Sequence, residues 1–150
     1  MELPKRKSTR IPGFDYSTPN YYFLTLCTKD KQCIFGNPGK LNRNGQIAEQ
    51  TLRKITEIYP QVKVDKYVVM PNHVHLILVL GLEQQTSVTH IIGQYKMSVT
   101  KEIRKFCPGF HVWHRSFHDH IIRNQKSYEK IWEYIENNPL KWEEDCFYPK

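Results

Sequence analysis

The run from Val68 to Leu80, Val-Val-Met-Pro-Asn-His-Val-His-Leu-Ile-Leu-Val-Leu, is the most apolar stretch of this chain and the one that most limits its fold. From Val74 onward it is aliphatic and partly β-branched, and it is too short to span a bilayer, so it reads as a buried strand. Side chains two apart on a strand point to the same face. His73 and His75 therefore converge on one side, spaced to share a metal ion or a phosphate oxygen. A lone histidine would read as a packed core residue. A pair on one strand face, set against a Pro-Asn turn, reads as a ligand pair, since imidazole is the commonest metal ligand.

The rest of the chain supplies a sheet and its cover. Residues 21–28 are aromatic and β-branched and predict a first strand. Asn37-Pro38-Gly39 and Asn42-Arg43-Asn44-Gly45 are turn signals. Residues 46–59 carry Ile47, Thr51, Leu52, Ile55, Ile58 and Tyr59 at helical spacing, and Pro60 ends that helix. Strict alternation from Val62 predicts a second strand, joined to the histidine strand by a Met70-Pro71-Asn72 turn as a hairpin. A second helical pattern places Val88, Ile91, Ile92, Tyr95, Val99, Ile103 and Phe106 on one face and stops at Pro108-Gly109. Its other positions include Lys96, Lys101, Arg104 and Lys105, a stripe that reads as a solvated face able to touch phosphates. Residues 110–117 predict a fourth strand.

A last helix runs from an Asn124 cap to Asn138, stopped by Pro139. Tyr128, Ile131, Trp132 and Ile135 recur at i, i+3, i+4 and i+7 and form its core stripe. Tyr134 lies roughly 120° from the centre of that stripe and Asn138 roughly 80°, on the same flank. Four residues apart, they are neighbours on the helix surface. Packing explains Tyr128 and leaves Tyr134 over. The order β-α-β-β-α-β followed by a helix predicts an α+β, ferredoxin-like antiparallel sheet covered by helices.

A chain of 150 residues reads as one domain, with a basic arm over about 1–19 that carries Lys5, Arg6, Lys7 and Arg10. The formal charge is +7, and most of it lies in the first half: residues 1–75 hold 12 basic and 6 acidic side chains. Nine Tyr, seven Phe and three Trp accompany it. Cations that follow a backbone, with rings that stack on bases, suit single-stranded nucleic acid. Cys27, Cys33, Cys107 and Cys146 form no Cys-x-x-Cys pair, and no signal peptide or membrane span is legible, which predicts a cytoplasmic protein with free thiols. A second histidine group, His111, His114, His118 and His120 with Cys107 or Asp119 nearby, offers a weaker reading as structural zinc, or as residues near the site or on DNA. His90 begins a helix and reads as exposed.

Three segments now resemble one known family. Val69-Met70-Pro71-Asn72-His73-Val74-His75 is similar to the His-hydrophobe-His motif of the HUH single-tyrosine transposases, and more narrowly of the REP-associated tyrosine transposases. Trp113-His114-Arg115-Ser116-Phe117 with His120-Ile121-Ile122-Arg123 resembles their segment before the final helix. Tyr134-Ile135-Glu136-Asn137-Asn138-Pro139-Leu140-Lys141 resembles their Tyr-Ile-x-x-Asn-Pro-x-Lys signature. The resemblance implies a transposase that cleaves and rejoins single-stranded DNA, probing hairpin-flanked repeats, through a 5′-phosphotyrosine. By position it implies Tyr134 as nucleophile, His73, His75 and Asn138 as ligands of Mg²⁺ or Mn²⁺, and Arg115 and Arg123 beside the basic arm on DNA. It also implies either a monomer or a homodimer that exchanges tyrosine helices. A non-catalytic binder stacking bases on Tyr21, Tyr22 and Phe23, or a metal-dependent hydrolase using water, are the competing readings; neither requires Tyr134 together with both histidines.

Overall fold

The computed structural model describes residues 20–81 and 86–149, so the basic arm with Lys5, Arg6, Lys7 and Arg10 lies outside the described residues. In chain order come β1 (Tyr21–Cys27), β2 (Gly36–Asn37), β3 (Lys40–Leu41), α1 (Arg43–Ile58), β4 (Val62–Met70), β5 (His73–Leu80), α2 (Val88–Arg104), β6 (His118–Ile122) and α3 (Gln125–Asn137). A 3-10 stretch, Asn138–Glu144, leads into the tail. The four long strands form an antiparallel sheet in the order β4-β5-β1-β6. Setting aside the two-residue β2–β3 pair, this is the ferredoxin-like α+β arrangement with one added C-terminal helix.

Alternation along the strands divides the sheet into two chemically different faces. Tyr22, Leu24 and Leu26 of β1 and Val74, Leu76, Leu78 and Leu80 of β5 turn to one side, where they pack with α1 and α2. The helices meet them with Ala48, Leu52 and Ile55 and with Val88, Ile91, Ile92, Tyr95, Val99 and Ile103; α2 buries its predicted stripe up to Ile103, whereas α1 buries Ala48 and leaves the predicted Ile58 64% exposed. The intervening positions, His73, His75, Ile77 and Val79, turn to the other side. There α3 lays Ile135 against Ile77 and Ile122 in a small second core. Ile135 is 1% exposed, so Ile135→Ala is expected to destabilise the fold by about 3 kcal/mol in urea unfolding.

Polar contacts fix α3 on β4. The β4–β5 register shifts between Val64 and Lys66, leaving Asp65 in a bulge where its carboxylate accepts a hydrogen bond from the Tyr128 hydroxyl. Lys66 pairs with Glu136 and lies 3.9 Å from the centre of the Trp132 ring. Trp132 is thus 37% exposed and covered by a cation, whereas the helical stripe predicts it in the core. α3 buries too narrow a face to reach it.

Four further expectations are corrected. The fourth strand is His118–Ile122, not 110–117. Val112 and Phe117 do enter the core, but Trp113 makes only an isolated bridge to Thr28. The Lys96 ammonium donates to the carbonyls of His114 and Ser116 at 3.0 and 3.1 Å, giving this irregular backbone a partner other than a ladder. Lys96 is therefore an internal brace rather than part of a solvated stripe. α1 begins at Arg43, three residues early, because the Asn42 side chain accepts from the Gly45 N–H at 3.0 Å and turns an apparent loop signal into a helix cap. Phe106 falls beyond α2 and is exposed, with the Arg43 guanidinium 4.2 Å from its ring centre. No helix among the described residues is long and apolar enough to cross a membrane, and the four cysteines are free thiols.

Candidate active site

The face of the sheet that carries α3 holds the polar centre. His73 and His75 are both buried, with ring centres 4.5 Å apart. Each is oriented through Nδ1. His73 Nδ1 lies 2.8 Å from Asn72 Oδ1. The Asn72 amide nitrogen donates to the carbonyls of Lys31 and Phe147 at 3.1 and 2.7 Å, which fixes its oxygen toward His73 as an acceptor. His73 is accordingly protonated on Nδ1 and presents a lone pair on Nε2. His75 Nδ1 lies 2.9 Å from Thr25 Oγ1, and in the tautomer that donates to this hydroxyl, Nε2 is again left free to coordinate. Burial pushes both imidazoles below their ordinary range, outweighing the Asp145 carboxylate at His73 and helped by His73 at His75. Both rings are neutral at neutral pH, the form that binds metals.

The C-terminal segment closes the centre. Asn138, buried at the end of α3, places Oδ1 3.3 Å from His73 Nε2 and donates through Nδ2 to Asp145 Oδ2 at 2.8 Å. The same Asp145 oxygen is 4.0 Å from His73 Nε2, and its partner oxygen accepts from the Phe147 N–H at 2.8 Å. Ligating atoms of His73, His75 and Asp145 all lie within 4.8 Å of one another. The Phe147 ring packs 4.5 Å from the His73 ring.

These residues fit a divalent cation on three observations. His75 Nε2 is buried without a hydrogen-bond partner. The Asp145 carboxylate is 1% exposed, and among the described residues no lysine or arginine lies at ion-pair distance from it; a buried charge of that kind is costly without a cation. Finally, the His73 lone pair faces an amide oxygen at 3.3 Å, close to the roughly 3 Å between adjacent ligands on an octahedral ion with bonds of about 2.1 Å.

Tyr134 stands beside this group. Its ring centre is 5.2 Å from that of His75 and 6.3 Å from that of Phe23. It is 43% exposed and lines a cleft of about 460 Å³ together with Lys130, Lys141, Asn138 and Asp145. Burial raises its pKa, as do Asp145 and Cys146, while the nearby Asn138 amide acts in the opposite direction.

A family model described as transposase IS200-like matches residues 17–138, most of the chain and all of the sheet. The chain belongs to the IS200-like transposases. An uncharacterized protein of Haemophilus influenzae is 36% identical over an alignment covering 95% of this chain and 93% of its own length. A second protein of that organism, named as a candidate REP-associated tyrosine transposase, is 26% identical across 85% of this chain and 74% of its own. A solved REP-associated tyrosine transposase bound to a REP hairpin is similar with a TM-score of 0.63 at 22% identity, over 95% of this chain and 74% of that one. A candidate transposase of Deinococcus radiodurans R1 gives 0.57 at 20% identity, over 85% and 95%. Both structures share this transposase's fold.

Of the residues singled out in the sequence, His73, His75, Tyr134 and Asn138 come together. Arg115 is exposed in the irregular segment before β6, and Arg123 directly follows β6 beside Tyr21. His114 and His118 line one cleft with Lys31, and among the described residues His73, His75 and Asp145 are the one group of three able to hold a metal, which leaves no zinc cluster at 111–120. Asp145 was not foreseen. It follows the family match, which ends at Asn138, and nothing in the Trp142-Glu143-Glu144-Asp145 order distinguishes it from its acidic neighbours. Thr25 and Asn72 were also missed as orienting groups. Thr25→Val keeps the side-chain shape and removes the hydroxyl, and it is expected to weaken Mn²⁺ binding by about 10- to 100-fold in calorimetry.

Proposed function

We propose that this protein is a metal-dependent transposase that cuts and rejoins single-stranded DNA through Tyr134. The observation that carries the reading is the meeting, in one chain, of an accessible phenol with two neutral imidazoles whose Nε2 atoms face a buried amide oxygen and a carboxylate. His73, His75 and Asn138 would hold Mg²⁺ or Mn²⁺, with Asp145 as a further ligand. Two imidazoles favour Mn²⁺ on ligand softness. An ion held there would supply positive charge to offset the diester.

In the cleavage step Tyr134 Oη bonds to phosphorus and loses its proton to solvent. The bond from phosphorus to the 3′ oxygen breaks, and that oxygen leaves as a 3′-OH after taking a proton from water. The 5′ end remains on Tyr134 as a phosphodiester, so the energy of the cut bond is kept and a 3′-OH of another strand can reverse the step. Tyr134 lying against its own chain's histidines supports the monomer over the homodimer that exchanges tyrosine helices. The hairpin-flanked repeat as substrate follows the resemblance to REP-associated transposases and the REP hairpin bound by one solved relative. A chromosomal substrate implies the cytoplasm.

The test is incubation with Mn²⁺ and single-stranded oligonucleotides carrying the repeats that flank its own gene, followed by a denaturing gel. A protein–DNA adduct that disappears with Tyr134→Phe is the expected result. Strand binding with no adduct and no cleavage would instead mark a non-catalytic binder, and cleavage with no adduct a hydrolase.

A further inference from the structure

On the face of the sheet that bears the histidines, α3 lies over β4 and β5 and reaches Ile122 and Phe23 with its small core, leaving the His118 and His120 positions of β6 open. Directly paired residues of antiparallel strands share a face. The register therefore sets Thr25 between His75 and His118, and Phe23 between Ile77 and His120, all on the side of the candidate active site. Tyr21, two residues before Phe23, is 42% exposed and leaves one face open although its ring meets Tyr128 edge-on at 5.7 Å; Phe23 is half-buried against the α3 core, and His118 and His120 are exposed. Clefts lie at both ends of this strip. One of about 350 Å³ is lined by Tyr21 and Arg123, and another of about 460 Å³ by Lys31 and His118. From Tyr21 to Cys27 the strand spans about 20 Å, room for a few nucleotides.

We propose that this β1–β6 strip is the track for the single strand flanking the bond that Tyr134 cuts, with Tyr21 and Phe23 stacking bases and Lys31, His118, His120 and Arg123 holding the backbone. This rests on the reading of the protein as a single-strand DNA enzyme. Three observations select this occupant. The strip is continuous with the site, because the Phe23 ring lies 5.4 Å from His75 and 6.3 Å from Tyr134. Exposed rings on a sheet take up unpaired bases, which a duplex keeps stacked inside. Asp30 also lines the Lys31 cleft and offsets its charge, so the imidazoles there act by donating N–H to phosphate oxygens, while Arg123 supplies net charge at the other end. The track is also tied to the metal group. Asp30 and Lys31 both hold left-handed backbone, φ 55 and 54, and the Lys31 carbonyl is gripped by the same Asn72 amide that orients His73. Strained non-glycine backbone held in this way gathers at functional sites.

The test measures binding of a fluorescein-labelled single-stranded oligothymidine by anisotropy in EDTA, so that the metal group contributes nothing. Tyr21→Ala is expected to weaken binding by roughly tenfold, and His118→Ala/His120→Ala with Arg123→Glu by at least as much again. Lys101→Glu/Arg104→Glu, on α2 across the sheet, is expected to leave it unchanged. Mn²⁺ binding by each variant, equal to that of the parent, shows that the fold and the metal group survive. Photocrosslinking with bromodeoxyuridine is expected to label the 21–23 peptide. Parent-like affinity in the strip variants, or a loss confined to the α2 variant, overturns the track and leaves the enzymatic reading standing. Failure of the parent to bind single strands at all overturns both.

Discussion

Tyr134→Phe is expected to bind single-stranded DNA as the parent does, to form no covalent adduct, and to lose cleavage by on the order of 10⁴-fold or more. The substitution removes one oxygen. The ring keeps its contacts with His75 and Phe23, and a side chain already 43% exposed contributes little to the fold. The size of the loss follows from the chemistry of phenols. A free phenol is ionised only about one part in a thousand at pH 7. Here burial and the neighbouring Asp145 and Cys146 push ionisation further out of reach, and only the Asn138 amide opposes them. Tyr134 without a cation is thus a poorer nucleophile than tyrosine in water. It depends on the positive charge that its neighbours are built to hold. Omitting Mn²⁺ should therefore abolish the adduct in the parent as completely as the substitution does. An adduct that survives Tyr134→Phe on a denaturing gel would assign the nucleophile to another side chain.

The fold was legible where a single period dominates. β1, β4 and β5 declared themselves by β-branched and aromatic runs, and α2 by an unbroken apolar stripe. β6 was misplaced because residues 110–117 alternate like a strand while their backbone is held by Lys96, a partner distant in sequence. On α3 the helical wheel separated Tyr134 from Ile135 correctly, yet it also put Trp132 in the core, since a wheel gives direction and not the width of the contact. Both histidines were visible from their shared face. The groups that aim them were not. Asn72 reads as a turn residue, and only the fold brings Lys31 and Phe147 within reach of its amide. Asp145 depends on how the chain runs after Pro139, where the 3-10 stretch carries the tail back over the sheet. No periodicity records such a course.

His73→Ala is expected to lower Mn²⁺ affinity by more than about 100-fold, beyond the 10- to 100-fold typical of losing a group that merely orients a ligand. Asp145→Asn should weaken Mn²⁺ binding by less than His73→Ala, because it keeps the size of the side chain while removing the charge and one of the two oxygens that accept from Asn138 and Phe147. Heat unfolding separates a lost ligand from a damaged core. An ion that binds the folded protein alone stabilises it by about 2.7 kcal/mol at a hundred times its dissociation constant. The parent should therefore gain thermal stability as Mn²⁺ is raised, and His73→Ala should gain none over the same range. In the absence of metal Asp145→Asn should cost little. Its carboxylate is 1% exposed beside a neutral imidazole, so the relief of a buried charge offsets the loss of one accepted hydrogen bond, and the metal-free protein should stay within about 1 kcal/mol of the parent. A residue kept for packing would destabilise on substitution whether or not the ion is there. Stability that drops with Mn²⁺ absent and is unchanged in its metal dependence would return Asp145 to a structural role, and an unaltered Mn²⁺ response in His73→Ala would remove the imidazole pair from the metal centre.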